Sequence, residues 1–315
     1  MRKTINKVSV EGRLYDISKL TLKKVENKES AHFGEDFIGG SIDVATDEEG
    51  LNIVTVNFTF VQPTYKSGKT NATYGVLKSL IETGKTIIKD GADNATLVRV
   101  DAALGLNDFY TDRNGEETLV SAKTVNGSFV NIINKLNDES ARSTFECDML
   151  INGTTLVEAN EERHIDKDYL IVKGAIFDFR NAIMPIEFIV KNEGGMKYFE
   201  GLNASAKEPV FTKVWGQIHS ENIVNRVEQE SAFGEPTVKE YSRTVREYIV
   251  TGTSKPDAVY EVGNAENGIT EDEVKKALAD REVYLAGVKK RQDDYNASKN
   301  SGAATAPAAA GGFNF

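Results

Sequence analysis

The chain carries a single cysteine, Cys147, in 315 residues, so no disulfide can form within it, and the usage suits a reducing compartment. No apolar run approaches the length that spans a bilayer. The N-terminus, Met1-Arg2-Lys3-Thr4-Ile5-Asn6-Lys7, has charge but no apolar block behind it, so no secretory signal is expected, and Asn-x-Ser/Thr triplets such as Asn126-Gly127-Ser128 are incidental. A concentrated basic run is also missing. The formal charge of −10 argues against a surface that is basic everywhere, but a local groove can still be basic.

Catalytic patterns are equally scarce. His32, His164 and His219 stand far apart with no cysteine or carboxylate at zinc spacing. Gly68-Lys69-Thr70 and Gly84-Lys85-Thr86 look like half of a phosphate-binding loop, but Pro63 and Ser79 occupy the places where its first glycine is needed. Cys147 lacks a nucleophile's surroundings. The carboxylates Asp47-Glu48-Glu49 and the pair Asp166 and Asp168, which a nuclease would use for magnesium, read as solvated turns. No enzyme, cofactor or metal is expected.

What is present is a globular composition, 40% hydrophobic and 27% charged, on a chain long enough for two cores. One stretch is written twice. Val10-Glu11-Gly12-Arg13-Leu14, with Val25-Glu26 and Glu29-Ser30-Ala31-His32-Phe33-Gly34-Glu35, returns as Val214-Trp215-Gly216-Gln217-Ile218, with Val227-Glu228 and Glu230-Ser231-Ala232-Phe233-Gly234-Glu235. Val172-Lys173-Gly174-Ala175-Ile176-Phe177-Asp178 is a shorter echo. A separation of roughly two hundred residues is too long for a solenoid and implies two related domains. Val10, Gly12 and Leu14 share one parity, as in a half-buried strand; a glycine inside it marks a bend or the close approach of another backbone.

Residues 37–44 and 51–61 flank an acidic turn and read as a β-hairpin that Pro63 ends. Tyr65-Lys66-Ser67-Gly68-Lys69-Thr70 reads as a basic exposed loop. Thr73 is placed to cap a short helix with the stripe Val76, Leu77, Leu80 and Ile81, and Gly84 stands where a left-handed residue ends one. Strands return at 95–100 and 118–123, joined through Phe109-Tyr110-Thr111-Asp112-Arg113-Asn114-Gly115. The polar run 137–143 is the best boundary. Beyond it strands are expected at 144–151, 169–179, 185–190, 210–218 and 244–251, with no strong helix, and the opening strand of this second unit is ambiguous between those carrying Gly174 and Gly216. Thr270 and Glu273 have capping-box spacing, and Val274, Leu278, Arg281, Leu285 and Val288 form a narrow helical stripe. Residues 298–312 are Gly, Ala, Ser, Thr and Pro with little else, a composition that cannot fold; about 15 such residues would reach roughly 20 to 25 Å before Phe313-Asn314-Phe315.

Bent strand, hairpin, helix after the third strand and two further strands is the order of the oligonucleotide/oligosaccharide-binding barrel, and residues 8 to about 135 resemble one. The expected fold is mainly β: two five-stranded Greek-key barrels of this type at 1–137 and 141–256, a C-terminal helix at 268–297, and a tail at 298–315. With its terminal Phe315, the arrangement resembles single-stranded-DNA-binding proteins, in particular phage versions. That resemblance implies a sequence-tolerant protein of phage replication or recombination in the cytoplasm of a bacterial host, with Phe313 and Phe315 meeting partner proteins. The run of acids that precedes the bacterial terminus is missing here.

Stacking aromatics beside phosphate-tracking cations are the chemistry of such binding. The candidates are Tyr65, Lys66, Lys69 and Tyr74; Phe109, Tyr110 and Arg113; Arg180, beside Phe177; Trp215, beside Lys213; and Arg243 and Arg246, which fall on opposite faces of one strand. The loop sets, Tyr65 to Lys69 and Phe109 to Arg113, rank first because aromatics there have no core to enter. The alternative from another class is a phage structural or assembly protein that binds other proteins only.

Overall fold

A computed structural model of the chain describes residues 4–161, 165–229, 237–254 and 268–300, with the backbone alone at 221–229, 237–244 and 299–300. The elements in order are β1 (Asn6–Asp16), β2 (Thr21–Lys24), β3 (Asp36–Ala45), β4 (Ile53–Val61), α1 (Ala72–Thr83), α2 (Ile87–Asp90), β5 (Leu97–Arg113), β6 (Glu116–Ile132), β7 (Ser143–Val157), β8 (Tyr169–Phe177), β9 (Ile183–Val190), α3 (Glu193–Gly201), β10 (Val210–Gln229), β11 (Thr237–Thr253) and α4 (Glu271–Asn300).

The expectation of two separate five-stranded barrels is corrected. All eleven strands among the described residues belong to one mixed sheet, in the order β10-β11-β9-β8-β7-β1-β5-β6-β4-β3-β2. The physical reason lies in how β1 uses its two edges. One edge pairs with β5 from Val8 to Arg13; the other is divided, with Asn6–Val10 on β7 and Arg13–Asp16 on β3. β7 divides its own edge between β1 and β8 and gives the other edge to β10. β1 and β7 pair antiparallel. The further pairings β1–β3 and β7–β10 turn the sheet back on itself within each set.

β7 therefore holds the place in the second set that β1 holds in the first. Neither the strand of Gly174, β8, nor that of Gly216, β10, opens it. The repeated string links β1 to β10, two strands at different places in the topology, and its second copy runs partly through residues outside those described. All three glycines nonetheless stand where the backbone of a neighbouring strand comes close. A Cβ would meet Ala45 O at 2.0 Å from Gly12, Leu150 O at 2.2 Å from Gly174, and Ile249 O at 2.0 Å from Gly216.

Alternation along the strands sends Val10, Leu14, Ile42, Val56 and Phe58 from the first set into the same core as Met149, Phe188, Val214 and Val250 from the second. Phe145 stacks on Phe188 at 4.9 Å, and each fully buried ring of this kind contributes roughly 1.5–3 kcal/mol. α1 buries Leu77 and Leu80 beneath the first set, and α3, between β9 and β10 as α1 is between β4 and β5, buries Phe199 beneath the second. The sequence conceals α3 because Gly194 and Gly195 sit in its first turn; Asn192 caps it by accepting from Gly195 N at 2.6 Å. Asn71, rather than Thr73, caps α1, and Gly84 is extended (φ −64) rather than left-handed.

Thr270 and Glu273 form the reciprocal capping box, Thr270 N donating to Glu273 Oε2 at 2.9 Å and Glu273 N to Thr270 Oγ1 at 3.3 Å. α4 packs on its own chain: Val274 and Ala277 join Ile269 over Leu150, Phe177, Ile183 and Phe211. Of the expected stripe, Val288 is buried and Leu278 is exposed. No helix among the described residues is long and apolar enough to cross a membrane.

Candidate nucleic-acid interface

Long hairpins tie the two sets together. β5 and β6 pair over their full lengths around the two-residue turn Asn114-Gly115, both with positive φ (59 and 86). This arm crosses to the second set, where Lys123 Nζ donates to the Glu187 carbonyl at 2.7 Å and stands 5.2 Å from the Tyr248 ring. Burial holds the Lys123 ammonium below its ordinary range and pushes the Tyr248 hydroxyl up to about 12. Asn6 bridges the sets as well, donating to the carbonyls of Leu104 and Phe177.

Between the arm, the start of β1, the start of β7 and the turn after β8 lies a cleft of 1510 Å³. The turn is built by Asp178, whose Oδ1 accepts from Arg180 N and Ala182 N, both at 2.8 Å, while Asn181 takes the left-handed conformation. Phe179 is thereby thrust outward, 79% exposed, with the Arg180 guanidinium 4.9 Å over its ring. Phe129 on β6, 53% exposed, lines the same cleft, as do Lys7 and, from α4, Tyr284. Three of the acids lining it are already engaged: Asp178 in its turn, Glu146 with Lys213 at 2.9 Å, and Asp108 with Arg281 at 2.8 Å. Asp101 and Asp280 are exposed there.

A second aromatic surface adjoins Phe129. Thr73 Oγ1 donates to the Ser128 carbonyl, and Asn71 ties the start of α1 to Gln62 and Pro63. The intervening loop closes a tight turn, Tyr65 N donating to Lys69 O and Gly68 N to Tyr65 O at 2.8 Å each. Tyr65, Lys66 and Lys69 are all exposed, and no acid lies between residues 62 and 71. Phe60 and Phe37 meet at 4.7 Å beside it, with His32 6.0 Å from Phe60.

The other predicted residues fall elsewhere. Tyr74 is half-buried against the core. Phe109, Tyr110 and Arg113 are on β5 and not in a loop, and Tyr110 does have something to pack on: Gln292 of α4 bonds its backbone N–H and carbonyl, and Lys289 lies 5.3 Å over its ring. Trp215 is partly exposed on β10, opposite Glu146 and against Gly252. Arg246 is exposed on β11; Arg243 pairs with Ile223 through its backbone, and its side chain is outside those described. Phe313 and Phe315 lie outside the described residues. Phe177, set beside Arg180 in the sequence, is fully buried. Phe129, Phe179, Phe37 and Phe60 were missed; an aromatic between Asp178 and Asn181, two turn formers, was the available signal for Phe179.

A family model described as YorF matches residues 4–295. The chain belongs to the YorF family. No curated protein matches this YorF-family chain. Among solved structures it is similar to the wild-type single-stranded DNA binding protein from Thermus aquaticus, at 10% identity and a TM-score of 0.46, over 84% of this chain and 98% of that one. An internal-deletion mutant of the same protein matches at 11% identity and a TM-score of 0.46, over 84% and 100%. Identity and TM-score are both too low to transfer a function. Among the described residues no group of three His, Cys, Asp or Glu side chains is arranged to hold a metal.

Proposed function

We propose that this chain binds single-stranded DNA without sequence preference and without catalysis, by stacking bases in the cleft between its two sets of strands. The observation that carries the reading is the pair Phe179–Arg180, a nearly free aromatic ring and a guanidinium presented together into a cleft that holds the exposed Phe129 on another wall. A ring with no core to enter is a stacking platform, and each base stacked on one contributes roughly 1–3 kcal/mol. Arg180 and Lys7 supply phosphate neutralisation there; Tyr65 with Lys66 and Lys69 extends the same chemistry beyond Phe129. The finer reading follows the sequence resemblance: a phage replication or recombination factor in the cytoplasm of its host, with units at 1–137, 141–256 and 268–297 and a partner-binding tail at 298–315 through Phe313 and Phe315.

The test is fluorescence anisotropy of labelled oligo-dT beside a duplex of equal length, at two salt concentrations. Preference for dT, with a log-log salt slope near about −0.7 per phosphate neutralised, supports the reading. A second reading, an assembly protein that binds only other proteins, is favoured by the net charge of −10 and by Asp101 and Asp280 in the cleft. Absence of dT binding at low salt selects it.

A further inference from the structure

The two ends of α4 are held by different forces. Its start is fixed by apolar burial, Val274 and Ala277 joining Ile269, which precedes the helix, over Phe177 and Phe211. The rest lies along the β5–β6 arm through polar bonds, Arg281 to Asp108, Lys289 to Glu117, and Gln292 to the backbone of Tyr110, and Val288 is buried on it. This docked portion furnishes one wall of the cleft, through Asp280, Arg281 and Tyr284. The wall presents the Asp280 carboxylate to a space whose ligand is a polyanion.

We propose that α4 is a displaceable clasp: docked on the β5–β6 arm it narrows the cleft and sets an acid in it, and an entering single strand displaces it. The inference rests on the DNA reading of the cleft. The apolar start of the helix is the pivot and the polar remainder is the part that leaves. Release exchanges partners rather than stranding them. The carboxylate of Asp108, 2% exposed when docked, gains water in addition to its bond from Ser121 Oγ at 2.5 Å, and the freed Arg281 guanidinium returns to water. An element docked by a few ion pairs and hydrogen bonds has a closed and an open state close enough in free energy for a ligand to shift.

The test uses the full chain. Arg281→Gln removes a cation from the cleft, so a simple electrostatic site would lose dT affinity, whereas a clasp loses its latch and binds dT at least about fivefold tighter. Gln292→Ala lies away from the cleft lining and changes no charge; it too should bind tighter. Docking is read independently by spin labels on the double variant E116C/K290C, because Cys147 is fully buried with its thiol pushed well above its ordinary range by burial and will not label. Saturating dT, or R281Q added to the labelled pair, should lengthen the interlabel distance. If wild type binds dT but the distance is unmoved, or if R281Q and Q292A bind no tighter, the clasp is overturned while the cleft reading stands. If none of the three proteins binds dT, both fall.

Discussion

Glu11 and Arg99 are direct cross-strand partners on β1 and β5, and their side chains form an ion pair at 2.6 Å. Glu11 is almost fully buried because the segment after β6 closes over it, Asn137 donating both its backbone N–H and its amide to the same carboxylate. Arg142 then carries the segment onward, donating to the Asn137 carbonyl at 2.7 Å and pairing with Glu48 at 2.6 Å. One carboxylate thus fixes the junction between the two sets of strands. Glu11→Gln keeps the shape but replaces an acceptor-only group by one that must turn a donor toward Asn137 or Arg99. It should cost roughly 1–3 kcal/mol in urea unfolding and speed proteolysis within 133–142. Unchanged stability would show the junction to be held by its backbone alone.

The glycines at these close approaches make a second case. Gly12→Ala and Gly216→Ala would each put a methyl group 2.0 Å from a carbonyl oxygen of the neighbouring strand, which the backbone can relieve only by moving. Each should destabilise by roughly 1–3 kcal/mol or more, measured as the shift in denaturation midpoint. Gly153→Ala, with nothing within 4 Å of the added carbon, is the control and should lie within about 0.5 kcal/mol of wild type.

These two sites show what the sequence could and could not reveal. Alternation and the internal glycines announced strands closely approached by another backbone, and that is where Gly12, Gly174 and Gly216 stand. Spacing of Thr270 and Glu273 announced the start of α4. The single sheet was hidden because pairing is decided by how β1 divides an edge between β7 and β3, and nothing local in Asn6–Asp16 marks the point of division. The same limit governed the site. Tyr110 looked like a loop aromatic because Gln292, the residue that covers its backbone, is 182 positions away. Tyr65 could be placed correctly in a loop because Pro63 and the turn at Gly68 are its immediate neighbours.

Lys123 supplies a prediction in pH. In the unfolded chain its ammonium titrates at the ordinary value of 10.5; in the fold, burial lowers it. Near neutrality both states hold the proton, and enclosing the charge is a standing cost. As the pH climbs through the window just beneath 10.5 the folded chain releases its proton first, the unfolded chain then binds more protons, and stability rises. Lys123→Met has no such term. The difference in unfolding free energy between wild type and K123M should therefore move in favour of wild type as pH rises through that window. A difference independent of pH would mean that the amine is solvated.

The cleft itself is tested by truncating its two free rings. Phe179→Ala and Phe129→Ala are both exposed enough to leave the fold untouched, so their unfolding midpoints should match wild type. In anisotropy titrations with labelled oligo-dT, each should weaken binding by about 1–3 kcal/mol, roughly 5- to 150-fold. Tyr110→Ala, whose ring lies under Lys289 of α4, should not weaken it. If F179A and F129A bind dT as tightly as wild type, or if Y110A alone loses affinity, the bases do not stack in this cleft and the account is wrong.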